Sequence, residues 1–234
     1  MKLLLGIDLG TSATKTVLFD EECRVVASAS REYPLYQPRN GWAEQDPEDW
    51  WLAAKDTIRQ VMESAGVAAG DIAGIGISGQ MHGLVMLDRE GRVLRRAILW
   101  CDQRTGAQCE QITQLVGADR LIAVTANPAL TGFTASKILW VREHEPEIYA
   151  RCAHILLPKD YLRYRLTGEF ATEVSDASGM QLLDVPHRCW SEEILQKLDI
   201  NPVLLAKVYE SPEITGEVTK EAAADTGLRP GTPV

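Results

Sequence analysis

Apolar residues come in short runs along the first third of the chain and at helical spacing afterwards. Residues 3–9 form an apolar run that meets Gly10, and 14–20 and 24–32 resume it on either side of Asp20-Glu21-Glu22. The pattern predicts three strands joined by tight turns, an antiparallel meander at the edge of a sheet. A loop with Pro34, Pro38 and Asn40-Gly41 follows. Asp46-Pro47-Glu48-Asp49 then predicts a helix start, with Asp as cap, Pro in the first position and acids in the first turn. Trp51, Ala54, Ile58, Val61 and Ala65 recur at helical spacing, so one face of that helix packs on the sheet. Residues 72–78 are apolar and bounded by glycines, which predicts a central strand buried on both faces. Residues 84–88 and 97–100 are further strands. Asp102 is placed to cap a helix that runs through Leu115-Val116 and closes at Gly117. Helices are predicted at 136–143, 145–151 and 159–166, the last ending at Gly168, and again at 190–198, with a short turn at 202–206. The 170s read as a polar loop. Strands first, then strands alternating with helices, is an α/β pattern.

Composition narrows the class. The 234 residues suit one large domain or two small ones at about 150 residues each. There are 33 acidic against 24 basic residues, a net charge of −9. Such a chain does not hold nucleic acid or an anionic membrane by bulk charge, because that binding needs a basic excess to displace counterions. A phosphate ligand stays open, since it needs only a local pocket of donors. The five cysteines contain no Cys-x-x-Cys pair, so reduced, mostly buried thiols are expected. The four histidines form no ligand pair. No apolar stretch is long enough to cross a bilayer. The apolar start is stopped at Asp8 and fails as a signal peptide, so the expected compartment is the cytoplasm.

Three segments carry candidate chemistry. In Asp8-Leu9-Gly10-Thr11-Ser12-Ala13-Thr14-Lys15 a strand-end carboxylate precedes a glycine turn, two hydroxyls and a lysine on the returning strand. The turn amides, Thr11 and Ser12 can donate to phosphate oxygens, Lys15 can add charge, and Asp8 can hold a hydrated magnesium ion. An ordinary β-hairpin with a surface lysine reads equally well. In Ser78-Gly79-Gln80-Met81-His82-Gly83, at the expected carboxyl end of the central strand, Gln80 and His82 suit a polyol or sugar. The alternative is a buried histidine satisfied by backbone and a methionine filling core. In Trp100-Cys101-Asp102-Gln103-Arg104 the indole could stack on a sugar, or Asp102 could simply cap a helix beside a local ion pair. Trp42, Trp50 and Trp51 read as packing on the sheet, and Pro158-Lys159-Asp160-Tyr161 as a helix start. Neither Cys101 nor Cys109 has the surroundings of a nucleophile.

These segments resemble those of the sugar kinases in the glycerol kinase/xylulokinase group, in register from about residue 3 to the end. Gly6-Ile7-Asp8-Leu9-Gly10-Thr11-Ser12-Ala13-Thr14-Lys15 is similar to the group's first phosphate-binding segment, and Trp42 to Trp51 to the lead-in to its first helix. Gly79-Gln80-Met81-His82-Gly83 resembles the xylulokinase branch, where glycerol kinases carry an Arg-Glu pair at the positions of Met81 and His82. Leu99 to Arg104, Leu157 to Leu162 and Ser175 to Gly179 are similar to bacterial xylulokinase segments.

The resemblance implies an actin-like ATPase, ribonuclease-H-like α/β fold, with a mixed sheet and helices on both faces. It implies that Asp8 lies by the Mg2+-ATP phosphates, that Thr11, Ser12 and Lys15 form the phosphate loop, and that Met81 and His82 bind the ketose. The implied reaction is ATP plus D-xylulose giving ADP and D-xylulose 5-phosphate, in a cytoplasmic enzyme that is a homodimer at full length. Other pentuloses or polyols (ribulose, glycerol-like substrates) are the runner-up substrates, and a non-enzymatic actin-like nucleotide-binding module is the alternative of another class. In this group the general base is an aspartate in a Gly-Gly-Gly-Asp segment that opens a second domain. Residues 1–234 are therefore expected to be the N-terminal lobe, with the interdomain junction at about 227–234 and no kinase activity of their own.

Overall fold

A computed structural model describes residues 2–234. Strands β1 (Leu3–Leu9), β2 (Ala13–Phe19), β3 (Val25–Glu32) and the short β4 (Glu44–Gln45) precede helix α1 (Pro47–Ala65). Next come β5 (Ile72–Gly79), β6 (Val85–Leu87) and β7 (Ala97–Ile98), then α2 (Gly106–Val116), α3 (Ala118–Thr125), α4 (Thr134–His144) and α5 (Pro146–Arg151). The remainder alternates β8 (His154–Leu156), α6 (Pro158–Thr167), β9 (Ala171–Glu173), α7 (Val174–Ala177), β10 (Leu183–Asp184), β11 (Cys189–Trp190), α8 (Glu192–Lys197), β12 (Lys207–Tyr209) and α9 (Lys220–Thr226). No described helix is long and apolar enough to cross a membrane.

The expected meander forms, and β5 joins it parallel to β1, giving a mixed sheet of order β3-β2-β1-β5. Alternation along β1 sends Leu3, Leu5, Ile7 and Leu9 to a buried face. Helix α1 covers that face. Asp46 accepts from the Glu48 amide at 3.0 Å as its cap, Pro47 opens it, and Gly66 closes it in the left-handed region (φ 63°). Trp50, Trp51, Ala54, Ile58 and Val61 are the buried side of α1, and Thr57 is tied to Thr16 of β2 at 2.7 Å.

The reverse face carries Leu4, Gly6 and Asp8 and is not covered by a helix among the described residues. The strand at 72–78 is also not buried on both faces as expected: Gly76 and Ser78 are exposed. Beyond β5 lie the chain's last residues, where the Pro233 carbonyl accepts from the Ile75 amide at 2.9 Å. An open cleft of about 540 Å³ runs along this face beside Leu4, Gly6, Gly74 and Gly76.

A second core lies apart from the sheet, where α2, α3, α4 and α8 pack around Leu84, Met86, Ile138, Leu139, Ile155 and Leu157. Trp42 belongs here rather than on the sheet, edge-on to Trp140 with centroids 5.4 Å apart. Asp102 does not cap a helix. Its carboxylate accepts from the Ala43 amide at 2.7 Å and grips the Arg104 guanidinium, and α2 starts only at Gly106. The 170s are ordered rather than looped, as β9, α7 and a 3-10 turn over Ser178–Met180. All five thiols are free, yet of these only Cys109 is buried, and Cys23 and Cys189 are exposed. The expectation of mostly buried cysteines fails because Cys23 lies in the β2–β3 connection and Cys189 opens the short strand β11, both at the surface.

Candidate functional site

The site is built at the carboxyl ends of β1 and β5. Register pairs Asp8 with Lys15 across the β1–β2 hairpin and with Ser78 across β1–β5, so these three residues share the uncovered face near the strand ends. Asp8, Ser12 and Lys15 are exposed. The turn between β1 and β2 closes with the Gly10 amide donating to the Ala13 carbonyl at 3.0 Å, and a Cβ on Gly10 would stand 3.0 Å from that oxygen. Tyr33 fastens the turn from outside by donating its hydroxyl to the Gly10 carbonyl.

Gln45, fully buried, joins this turn to the next. Its amide nitrogen donates to the Thr11 carbonyl at 2.7 Å, while its oxygen accepts from Trp50 at 3.0 Å and from Gln80 Nε2 at 2.9 Å. The Gln80 backbone N–H also donates to the Leu9 carbonyl at 2.6 Å. Gln80 is thus a buried brace, whereas a polyol contact was expected of it. Trp100 remains 41% exposed and donates its indole N–H to Thr11 Oγ1 at 3.0 Å, which places an aromatic face beside the turn.

His82 sits in the left-handed region (φ 62°), an uncommon conformation for a side-chain-bearing residue. Three contacts hold it there. Thr134 Oγ1 donates to its carbonyl at 3.0 Å, its ring lies edge-on to Phe133 with centroids 4.8 Å apart, and Gly179 underlies the ring so closely that a Cβ would fall 2.1 Å from Nδ1. The Nδ1 atom is buried without a partner. Met81 beside it is 45% exposed. This is not a methionine filling core.

Burial, and next the charge of Lys137, push the His82 imidazole down to about 4. The unfolded chain therefore binds a proton between about 6.5 and 4 that the folded chain refuses, so stability rises with pH across that window. We expect acid titration from 6.5 to 4 to destabilise the wild type more than His82→Gln. The gap, read from urea midpoints, should be at most about 3 kcal/mol and smaller to the extent that solvent reaches the ring.

Behind Met81, Lys159 reaches Asp160 at 2.8 Å, Glu173 at 3.3 Å and Asp176 at 3.5 Å, beside a cavity of about 320 Å³ that Ser78 and Gly79 also line. Burial, with Asp160 and Glu173 adding to it, raises Asp176 to about 7 against the pull of Lys159. Among the described residues no group of three or more His, Cys, Asp or Glu is arranged to hold a metal.

The structure thus gathers Asp8, Thr11, Ser12 and Lys15 around one hairpin and Met81 and His82 on the neighbouring turn, with Gln45 and Gln80 between them. Sequence reading missed Gln45, Phe133, Lys137 and Gly179 as site-builders. Gln45 adjoins a helix cap and reads as loop, and no local pattern marks Phe133 or Lys137, because their partners lie far away in the chain.

The chain belongs to the FGGY family of carbohydrate kinases: residues 3–234 match that family's N-terminal domain. It is 46% identical over 234 residues to the xylulose kinase of Bacillus subtilis, matching all of this chain and 47% of that protein. It is 43% identical to the xylulose kinase of Escherichia coli, over 97% of this chain and 46% of that one. The chain thus spans about half the length of the curated relatives it matches. Among solved structures, the xylulose kinase from Rhodospirillum rubrum superposes with a TM-score of 0.95 at 31% identity, covering 100% of this chain and 48% of that one. A glycerol kinase from Plasmodium falciparum, with ADP, superposes at 0.90 with 25% identity over 100% of this chain and 47% of that one.

Proposed function

We propose that this chain is the substrate-binding N-terminal lobe of a kinase that transfers phosphate from ATP to D-xylulose, giving D-xylulose 5-phosphate. The observation that carries the reading is the His82 turn: a neutral imidazole seated over Gly179 and an exposed Met81, with the Trp100 indole bonded to Thr11 of the adjoining hairpin. An imidazole neutral at physiological pH can both accept from and donate to sugar hydroxyls. The exposed hydroxyl of Ser12, the Thr11 hydroxyl and the ammonium of Lys15 form the phosphate-facing set. Such transfer needs positioning and charge stabilisation more than covalent chemistry.

Asp8 is the acid toward ATP and its Mg2+. A single exposed carboxylate with hydroxyls in the next turn fits that ion, which takes one or two carboxylates and keeps several waters. Asp8 would hold Mg2+ through those waters, and the ion would offset phosphate charge. The general base belongs to sequence outside residues 1–234 in this reading, and the whole enzyme is cytoplasmic and a homodimer.

A second substrate within the class has specific support. Solved structures titled gluconate kinase, from Lactobacillus acidophilus, and glycerol kinase superpose at TM-scores of 0.92 and 0.90, so the fold alone does not select the sugar. Calorimetry with D-xylulose, ribulose and glycerol decides. We expect D-xylulose to bind most tightly and His82→Ala to weaken it at least tenfold, about 1.4 kcal/mol. Unchanged D-xylulose affinity in His82→Ala would sink the assignment.

A further inference from the structure

We propose that Lys137 is a positioning residue for the sugar site, acting by drawing three consecutive carbonyls of the 131–133 loop onto one buried ammonium. The side chain is fully buried in the first turn of α4, and Nζ donates to the carbonyls of Thr131 (3.1 Å), Gly132 (2.6 Å) and Phe133 (2.9 Å). Burial pushes this amine down from its usual value to about 7, and in its protonated form three N–H donors meet three acceptors.

Two physical penalties make this lysine a poor choice for filling space. A buried cation loses its hydration, and a positive charge at a helix N-terminus opposes the helix dipole. Among the described residues no carboxylate lies within ion-pair distance of it. The charges that reach it are those of Asp102, which favours the ammonium, and Arg104, which disfavours it, with the thiols of Cys101 and Cys109 also facing it. What it gains instead is the curled backbone.

That curl sets where the loop's other groups go. Thr131 Oγ1 donates to Gln103 Oε1 at 3.0 Å, and Gly132 lies under the Trp100 carbonyl, 3.2 Å from where its Cβ would stand. The Phe133 ring meets His82 edge-on, and Thr134 donates to the His82 carbonyl. One ammonium therefore sets the loop that borders Trp100 and His82, and its charge is also the one that reaches the imidazole.

The inference rests on the ketose reading for its ligand and on the loop geometry for everything else, and the test separates the two. Lys137→Met keeps the volume and removes the charge and donors. Hydrogen exchange of peptides covering 130–134 should rise roughly tenfold to hundredfold, with β1 and β2 unchanged. The D-xylulose Kd, corrected for the folded fraction, should rise about tenfold or more, and the His82 proton resonances should titrate closer to 6.5. Lys137→Arg, which keeps charge and donors, should recover part of the affinity.

Exchange that rises evenly through α4, or unchanged affinity in the folded variant, would overturn the proposal. If Lys137→Met does not fold, the wild type answers instead: D-xylulose should slow exchange at 131–133, and no protection there refutes the positioning role. If the wild type binds no D-xylulose, the ketose reading fails, and the exchange and His82 titration still decide the role of Lys137.

Discussion

Gly179→Ala is expected to cost roughly tenfold to hundredfold in D-xylulose affinity and about 1–3 kcal/mol in stability, although it adds one methyl group. The new Cβ would fall 2.1 Å from both His82 Nδ1 and Cε1, closer than any real carbon contact. Gly179 does not have positive φ, so the backbone accepts alanine and the conflict is confined to the ring. The imidazole must leave its seat against Phe133, where it is now held edge-on at 4.8 Å. A double-mutant cycle isolates this cause. In a His82→Ala background the ring is gone, and Gly179→Ala should then cost less than half as much. An equal stability cost in both backgrounds, by urea midpoint, would show that something other than the ring is displaced.

The largest stability loss is expected from Asp102→Ala, about 3–5 kcal/mol, with a fall in Tm on the order of 10 °C. Asp102 is fully buried and its carboxylate holds three groups: the Arg104 guanidinium and the backbone amides of Ala43 and Arg104. Arg104, whose side chain is 1% exposed, pairs with it at 2.7 Å, and the Ala43 amide donates to it at 2.7 Å. The guanidinium lies 3.6 Å over the Trp42 ring and reaches Glu44 at 2.8 Å, which in turn receives Arg95 at 2.7 Å. Removing Asp102 leaves a buried cation with one carboxylate in place of two, and takes the acceptor from the amides of Ala43 and Arg104. Glu44 also leads into Gln45, so the loss should loosen the brace beneath the Thr11 turn. Asp102→Asn keeps an acceptor for the Ala43 amide and should recover part of the stability. A change in Tm below 3 °C for Asp102→Ala would show that the network carries little of the fold's stability.

The contrast between Asp46 and Asp102 shows how far local sequence reaches. Asp46 is followed by Pro47 and two acids, and the structure makes it the cap of α1 through an amide two residues on. Asp102 likewise accepts from the amide two residues on, that of Arg104 at 2.9 Å, yet its other oxygen bonds to an amide 59 positions away, and the helix begins later. His82 differs in the same way. Its surroundings in the chain raised a sugar contact, but its environment comes from Phe133, Thr134, Lys137 and Gly179, all from segments outside its own turn.

By itself the sequence determined the hairpin of Asp8, Thr11, Ser12 and Lys15, the three-strand meander and α1, because turn chemistry, alternation and capping act within a few residues. Only the tertiary structure decided that β5 keeps an uncovered face and that Gln45 joins two turns. It also decided that His82 is held neutral over Gly179 and that Lys137 is buried under the loop beside it. Each of these depends on groups brought together across tens of residues, where burial and charge are set by the neighbours that folding supplies.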